Sequence, residues 1–460
     1  MTAAPPSRNL DLLAGAAVAL LAAGLFLHGS GAVPAGYRED TVSVALNALC
    51  LVETGADEYG ARWPLVGFRS LGDYKGSLNL YLVAALFVAT GPSLHAARLL
   101  SIGLTSAAVL ALALTLRRAR PDQSAWGAPA DACFFALFLL SSWLLVTPRV
   151  LVENGVLLAA SAAAVVTALG VAREPQSLTG GLVAGACAGL LSHCYSPGKV
   201  LFAFSPLILA LTIACEPPRG GRKLTGFAGL RGYVASWLLV AAPHLFDLFG
   251  ERKGLSRFDA VGGHFDLVDI GRAIARNASP SFLFFTGDPV PAHHFGLGGM
   301  LNVFFLPLVI WGLVVATRRF GCDALARYAL LLLPVAYLPA GIARQTPPHA
   351  LRALLASVPI LIISFYGWRA AQAVARKRGW ARLLLAAWTI LGVIRCVHGL
   401  AVFFGPYAER NLGGFVRPLP RWNASETKPD PADHGVDTLF ERYHRATRGD
   451  LTYCAGSRSR

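Results

Sequence analysis

Residues 150–173 read VLVENGVLLAASAAAVVTALGVAR, and no ionisable side chain occurs between Glu153 and Arg173. A helix of that length covers about 30 Å, the thickness of bilayer hydrocarbon. The same reading applies to 12–28, 132–146 and 330–343, which are long enough or nearly so. Hydrophobic residues make up 55% of the chain and charged residues only 15%. That balance belongs to a polytopic membrane protein rather than a soluble one. The first apolar run lacks a small-residue cleavage site, so it reads as a retained span rather than a signal peptide.

The expected fold is therefore all-α, with about eleven transmembrane helices at 10–29, 95–116, 131–148, 151–172, 178–194, 199–215, 231–249, 297–316, 326–343, 351–369 and 381–404. Basic loops follow alternate spans: Arg117, Arg118 and Arg120; Arg173; Arg219, Arg222 and Lys223; Arg318, Arg319 and Arg327; and Arg369, Arg376, Lys377, Arg378 and Arg382. By the positive-inside rule these loops, and the N-terminus, are cytoplasmic. The alternation requires that the short apolar run 78–90 lie along the membrane surface rather than cross it. Gly181, Gly185 and Gly189 form a GxxxGxxxG ladder, the pattern of a close helix-packing face.

The net charge of +15 is accounted for by these topology-setting loops, so nucleic acid is not an expected partner. The eight cysteines show no CxxC or zinc-finger spacing. Most lie in apolar segments, where Cys acts as a small hydrophobe. Cys50 and Cys454 can pair if both face an oxidising compartment. Three segments lie outside: 30–94, 250–296 and a tail, 405–460. With Asp247 they hold 19 of the 26 acidic residues, so polar chemistry gathers on one face of the membrane. The tail, rich in proline and mixed charge, reads as a weakly structured appendage. Asn277-Ala-Ser and Asn423-Ala-Ser are glycosylation sequons.

In the first external segment, Val42, Ala45, Leu46, Leu49 and Val52 recur at helical spacing, with Thr41, Ser43, Asn47 and Glu53 away from them. This predicts an amphipathic juxtamembrane helix, capped by Asp40 and stopped at Gly55. Glu39 reads as solvated. Asp57 and Glu58 read as loop-shaping residues that pair with Arg62 or Arg69, and Lys75 can pair with Asp73 in GDYKG. Arg149 and Glu153 read as a structural pair at a membrane edge. Asp288, His293 and His294 have metal-capable chemistry, but Asp-x4-His-His is a weak ligand spacing. Loop shaping or acceptor contact is the preferred role, and no metal ligand is assigned.

The run ALNALCLVETGADEYGARWPLVGFRSLGDYKGSLNLYL (45–82), followed by AARLLSIG (96–103), resembles the first external loop of bacterial membrane glycosyltransferases. These form the family of dolichyl-phosphate-mannose protein mannosyltransferases and lipid A aminoarabinose transferases, glycosyltransferase family 39, with the GT-C fold. SFLFFTGDPVPAHHFGLGGML (281–301) and PAGIARQTPPHALRAL (339–354) resemble later elements of that family, and TPRVLVENGVLLAA (147–160) does so more weakly. The likeness covers most of 30–370 and not the tail. One departure is Thr41, which stands where the family usually has Glu after its Asp.

The resemblance implies a GT-C-like domain over 1–404 and a sugar donor carried on a polyprenyl phosphate. It also implies an acceptor hydroxyl on a protein, lipid or glycan, and an external active site in a bacterial inner membrane. Asp40 would be the catalytic base, with Lys75, Arg344, His349 and Arg352 as donor-phosphate ligands. Glu39, Asp57, Glu58, Asp73, Tyr74, Asp288, His293 and His294 would contact substrate or shape the loops. Arg344 and Arg352 are equally readable as snorkelling residues at span ends. No cofactor is assigned, and a divalent cation is compatible with such a site. The absence of GxGxxG agrees with a donor that is not a nucleotide sugar. The rival readings are a secondary transporter and a non-catalytic subunit of a glycan pathway; an oligosaccharide transferase using a lipid-diphosphate donor is a third.

Overall fold

The 150–173 stretch is a helix from Val152 to Arg173, buried against neighbours along most of its length. The structure, a computed structural model, describes residues 8–71, 73–119, 127–215, 228–250, 266–343, 348–410, 415–416 and 436–454. In chain order the first part runs α1 (Arg8–Leu27), β1 (Tyr37–Arg38), α2 (Glu39–Thr54), β2 (Gly67–Ser70), β3 (Asp73–Gly76) and α3 (Ser77–Thr90). Then come α4 (Leu94–Ala119), α5 (Gly127–Leu139), α6 (Ser142–Val150), α7 (Val152–Arg173), α8 (Leu178–Leu190), α9 (Ser196–Ala214) and α10 (Ala228–Asp247). The remainder is α11 (Leu267–Asn277), α12 (Phe305–Arg318), α13 (Ala324–Gly341), α14 (Ala350–Ala353), α15 (Ser357–Lys377), α16 (Gly379–Phe404), α17 (Pro406–Glu409), β4 (Phe415–Val416) and α18 (Val436–Thr447).

The chain is a helical multi-pass membrane protein. Among the described residues six helices are long and apolar enough to cross a membrane, seven if a bent pair is one span. Each expected span coincides with a helix or part of one, though four of the apolar helices are shorter than a full crossing. Two differ in shape from expectation. The 131–148 span is α5 and α6, bent by 50° at the intervening residues. There the Trp143 amide donates to the Met300 carbonyl at 2.9 Å. The 297–316 span is helical only from Phe305, because Met300 and Leu301 donate their amides to Phe282 and Leu283 at 3.1 and 2.7 Å. A backbone committed to such partners cannot also close helical turns.

The glycine ladder packs α8 on α10. A Cβ on Gly185 would fall 2.0 Å from the Tyr233 carbonyl oxygen, so only glycine allows the approach. The main core lies among α4–α7 and α12–α15. A second core gathers α2, α3 and the tail residues Leu439, Tyr443, Ala446 and Cys454.

Around this second core the structure departs from the expectation for α2. Gly55 does stop the helix, in left-handed conformation with φ 71°. The expected polar face is buried as well, however, since every residue from Thr41 to Leu51 is enclosed. Ser43 Oγ meets Ser70 Oγ at 2.5 Å, and Thr41 Oγ1 donates to the Val150 carbonyl at 3.1 Å. The tail supplies part of the cover: α18 lies on α2, β4 pairs with β1, and Cys454 is joined to Cys50 by a disulfide. The tail is thus a docked element over 436–454 rather than a loose appendage.

Candidate functional site

The Tyr37–Arg38 strand delivers the chain to α2 in extended conformation, so Arg38, not Asp40, is the N-cap residue. Asp40 stands in the first turn, where the helix dipole favours a carboxylate. The hairpin β2–β3, in which Phe68 faces Lys75, brings that lysine back to it. Lys75 Nζ lies 2.5 Å from Asp40 Oδ1, and Arg38 Nε lies 3.6 Å from Asp40 Oδ2. The side chain of Asp40 remains 23% exposed, so this ion pair is reachable from outside.

What it faces is an open cleft of about 390 Å³, counting space continuous with solvent. Asp40, Asp73, Tyr74 and Lys75 line it from the segment between α1 and α3. Glu153 at the start of α7, Tyr195, and Lys199 in the first turn of α9 line it from the bundle. Asp73 Oδ1 accepts from the Tyr74 amide at 2.7 Å. Arg149 and Glu153 separate: Arg149 donates to the Leu145 carbonyl at 2.5 Å and also to Phe26, whereas Glu153 accepts from Asn79 at 3.2 Å. The cleft thus combines carboxylates able to take a proton with ammonium groups able to meet a phosphate.

Asp57 and Glu58 shape the loop through hydrogen bonds to backbone amides and to Asn47. Asp57 Oδ1 accepts from the amides of Tyr59 and Ala61 at 3.0 and 2.8 Å. Glu58 and Asn47 exchange two hydrogen bonds, at 2.9 and 3.0 Å. Burial pushes the Glu58 carboxyl above the usual carboxylate range, despite the Asn47 bond. Glu39 is half-buried in the first turn of α2.

A second polar cluster lies on the other side of Arg38. His293 Nδ1 is 3.0 Å from Asp288 Oδ2, and His293 Nε2 is 3.0 Å from Arg38 Nη1. A guanidinium only donates, so Nε2 accepts and Nδ1 carries the ring proton to Asp288. Asp288 also accepts from the Ala350 amide at 2.6 Å and the Val290 amide at 2.8 Å. Although burial opposes ionisation, these bonds and His293 hold Asp288 below its ordinary value. His349, at the cap of α14, packs its ring 5.0 Å from that of His293. Burial above all lowers its pKa to about 3, so the imidazole is neutral. One ligand atom each from Asp288, His293 and His349 lies within 4.8 Å of the others, the only such group of three among the described residues.

His294 belongs to the loop rather than to this cluster. Its Nδ1 accepts from the Gly296 amide at 3.1 Å, and its ring fills the space where a Gly287 Cβ would stand, 2.7 Å away. Gly287 has φ +71°, so the glycine of the motif is needed for both conformation and room. The expected phosphate ligands therefore divide. Lys75 lines the cleft, His349 joins Asp288 and His293, and Arg352 is buried on α14. Arg344 lies outside the described residues. Asn277 of the first sequon is fully buried, its Oδ1 taken by the His349 amide at 2.9 Å. Asn423 lies outside the described residues.

Arg38, Glu153, Tyr195 and Lys199 were not singled out for the site from sequence. Lys199 left one signal, as one of the few basic residues in the short loops opposite the positive-inside face.

Fold and cleft together define a polytopic helical membrane protein with a charged site beside α2. No family model matches the chain, and no curated protein matches it. Among solved structures it is similar to ArnT from Cupriavidus metallidurans in the apo state, at 15% identity and TM-score 0.49, covering 96% of this chain and 77% of that one. ArnT bound to undecaprenyl phosphate is similar at 14% identity and TM-score 0.47, with 98% and 79% covered. The archaeal oligosaccharyltransferase AglB from Archaeoglobus fulgidus, in complex with an inhibitory peptide and a dolichol-phosphate, is similar at 12% identity and TM-score 0.49, with 90% and 57% covered. At these scores the likeness carries no argument about activity, which has to come from the site.

Proposed function

We propose that the protein is a GT-C membrane glycosyltransferase of the family 39 kind. It moves a sugar from a polyprenyl-phosphate donor to an acceptor hydroxyl by a single inverting displacement. The observation that carries this reading is Asp40: a reachable carboxylate held between Lys75 and Arg38, facing a cleft that also holds Lys199.

Asp40 takes the acceptor's hydroxyl proton while that oxygen forms the new bond to the anomeric carbon. The bond from that carbon to the phosphate oxygen breaks, and its electron pair leaves with the lipid phosphate. Lys75 and Lys199 are in the cleft to meet the developing charge. Lys75 has two calls on it, since the ammonium that holds Asp40 at rest is also the one a phosphate would attract. Donor entry thereby loosens the ion pair and leaves Asp40 ready to accept a proton.

The external placement has independent support. A disulfide such as Cys50–Cys454 belongs in an oxidising compartment, and Cys50 lies in the same helix as Asp40. The basic ends of α4, α7, α12 and α15 read as cytoplasmic, together with the N-terminus. We take the membrane to be a bacterial inner membrane and the acceptor to be a protein, lipid or glycan.

The test is reconstitution of the protein in lipid with a panel of polyprenyl-phosphate sugars, with products read by mass. Transfer that Asp40→Asn abolishes supports the reading. Equal transfer by Asp40→Asn sinks the mechanism, and solute uptake without transfer points to the transporter alternative. Neither transfer nor uptake leaves the non-catalytic subunit.

A further inference from the structure

We propose that the cavity between the α5–α6 break, the 297–303 loop and α16 binds the headgroup of an anionic membrane phospholipid of the phosphatidylglycerol class. The cavity is open and measures about 370 Å³, counting space continuous with its surroundings. A water molecule takes up about 30 Å³, so there is room for a headgroup. Among the described residues it shares no lining residue with the Asp40 cleft.

One wall is α16, which is long and apolar enough to cross a membrane. Only 17% of its apolar stretch is buried, so the helix faces lipid. Arg395 interrupts that stretch nine residues before Phe404, about 14 Å along the axis. An arginine inside a span is costly, and one that faces a cavity marks a site by default. Among the described residues no carboxylate lines this cavity and no ion pair holds Arg395. Its Nη2 would stand 3.3 Å from a Cβ on Gly298, so the guanidinium reaches the loop.

The start of α6 forms another wall. Ser141 is the N-cap residue, yet its side chain makes no cap hydrogen bond. Ser141 and Ser142 are 4% and 3% exposed, and both line the cavity. Among the described residues neither Oγ has a hydrogen-bond partner. Buried hydroxyls in that condition call for an explanation. The helix dipole adds partial positive charge at the same point. Two interrupted spans meet here, and unwound backbone at membrane depth is tolerated where it lines a polar cavity. Asn302 fixes the loop to α16, its Nδ2 donating to the Gly392 carbonyl at 2.9 Å.

Guanidinium, helix N-terminus and free hydroxyls select an anion, and the lipid-facing side of α16 selects one that arrives through the bilayer. Arg395 is the only charged side chain among the described residues that line the cavity. A phosphodiester carries one negative charge, which one guanidinium can meet with two parallel bonds. A phosphate monoester carries about −1.5 to −2, so a phospholipid suits the site better than a polyprenyl phosphate. An ethanolamine headgroup adds an ammonium with no carboxylate to receive it. A glycerol headgroup adds hydroxyls that Ser141 and Ser142 can bond. This inference stands whether or not the chain transfers sugar.

The experiment uses the full chain, delipidated in detergent, with phosphatidylglycerol, phosphatidylethanolamine, undecaprenyl phosphate or inorganic phosphate added separately. Native mass spectrometry reads retained lipid, and thermal unfolding reads stabilisation. One phosphatidylglycerol per chain should be retained, in preference to phosphatidylethanolamine. Arg395→Leu should weaken that binding by about 10- to 100-fold, the range of a charge-assisted hydrogen bond. Arg382→Leu removes an equal charge from an exposed position on the same helix and should leave the binding unchanged. Ser141→Ala with Ser142→Ala should weaken it by about 2- to 10-fold, as loss of neutral hydrogen bonds does. Equal retention of the two phospholipids, or equal losses in Arg395→Leu and Arg382→Leu, overturns the proposal. So does tighter binding of undecaprenyl phosphate that Arg395→Leu removes, which would make this a carrier-lipid site, or stabilisation by inorganic phosphate alone. Should Arg395→Leu fail to fold, the wild-type lipid preference and the serine pair still decide the matter.

Discussion

Two groups of ionisable side chains meet at Arg38, and they are built differently. On one side Asp40, Lys75 and Lys199 face an open cleft, with Asp40 partly exposed. On the other, Asp288 and His293 are almost fully enclosed, and Asp288 is bonded to the Val290 and Ala350 amides and to His293. Charges around a cleft can be exchanged for those of a ligand at modest cost, because water is at hand to solvate whatever is released. An enclosed cluster cannot trade partners so cheaply, since each unpaired group there pays for desolvation. The open group is suited to turnover and the closed one to holding a fixed shape or an ion.

The sharpest way to break that contrast is to remove the two carboxylates in turn. Asp40→Asn should slow sugar transfer by about 10²- to 10⁴-fold, the contribution of a positioned base, while leaving the melting temperature nearly unchanged. Asp288→Asn should do the reverse and lower thermal stability more than transfer. Similar losses in both assays for both variants would show that the two sites are not distinct in role.

Next in size is the clasp over α2. Cys454→Ser removes the disulfide to Cys50 and should cost about 2–4 kcal/mol of stability, read by thermal unfolding in detergent. If the tail seats the Asp40 side specifically, limited proteolysis should open the α2–α18 region before the 286–301 loop. Simultaneous cleavage of both would make the disulfide a global brace instead.

Lys199 offers a smaller effect confined to the cleft. Charge-assisted hydrogen bonds contribute roughly 1.5–3 kcal/mol. Lys199→Ala should therefore weaken binding of undecaprenyl phosphate by about 10- to 100-fold, measured by microscale thermophoresis in nanodiscs. Binding equal to wild type would remove Lys199 from the site.

The smallest expected effect concerns Glu58. Its folded pKa lies above the ordinary carboxylate value, so the fold favours the neutral acid. Stability from Glu58 is complete at pH below the unfolded carboxylate range and is lost as pH rises through the raised value. Glu58→Gln should flatten that part of the profile of melting temperature against pH between 4 and 7, a window of about 3 units set by the reference carboxylate and the neutral range. Parallel wild-type and variant profiles would mean that Asn47 alone governs the site.

Much of this was legible in sequence because it depends on short-range patterns. Apolar length sets where helices form, so each expected span has its helix, and Gly55 and the Gly181–Gly189 ladder fall where local geometry needs glycine. Asp40, Asp73, Tyr74 and Lys75 share one cleft, because a hairpin of a few residues is enough to join them. The N-cap was misplaced by two residues, from Arg38 to Asp40, an error on the scale at which helix ends are ambiguous.

What the sequence by itself determined is the membrane class, the run of helices and the gathering of acids outside the bilayer, all consequences of hydrophobic length and local charge. Only the tertiary structure decided which distant residues meet. It brought Lys199 and Glu153 to Asp40, His349 to Asp288 across 61 residues of chain by residue number, and Cys454 to Cys50 across a separation of 404. Spacing along a chain carries no record of such meetings. They follow from how buried faces pack, and packing is settled by the whole molecule at once.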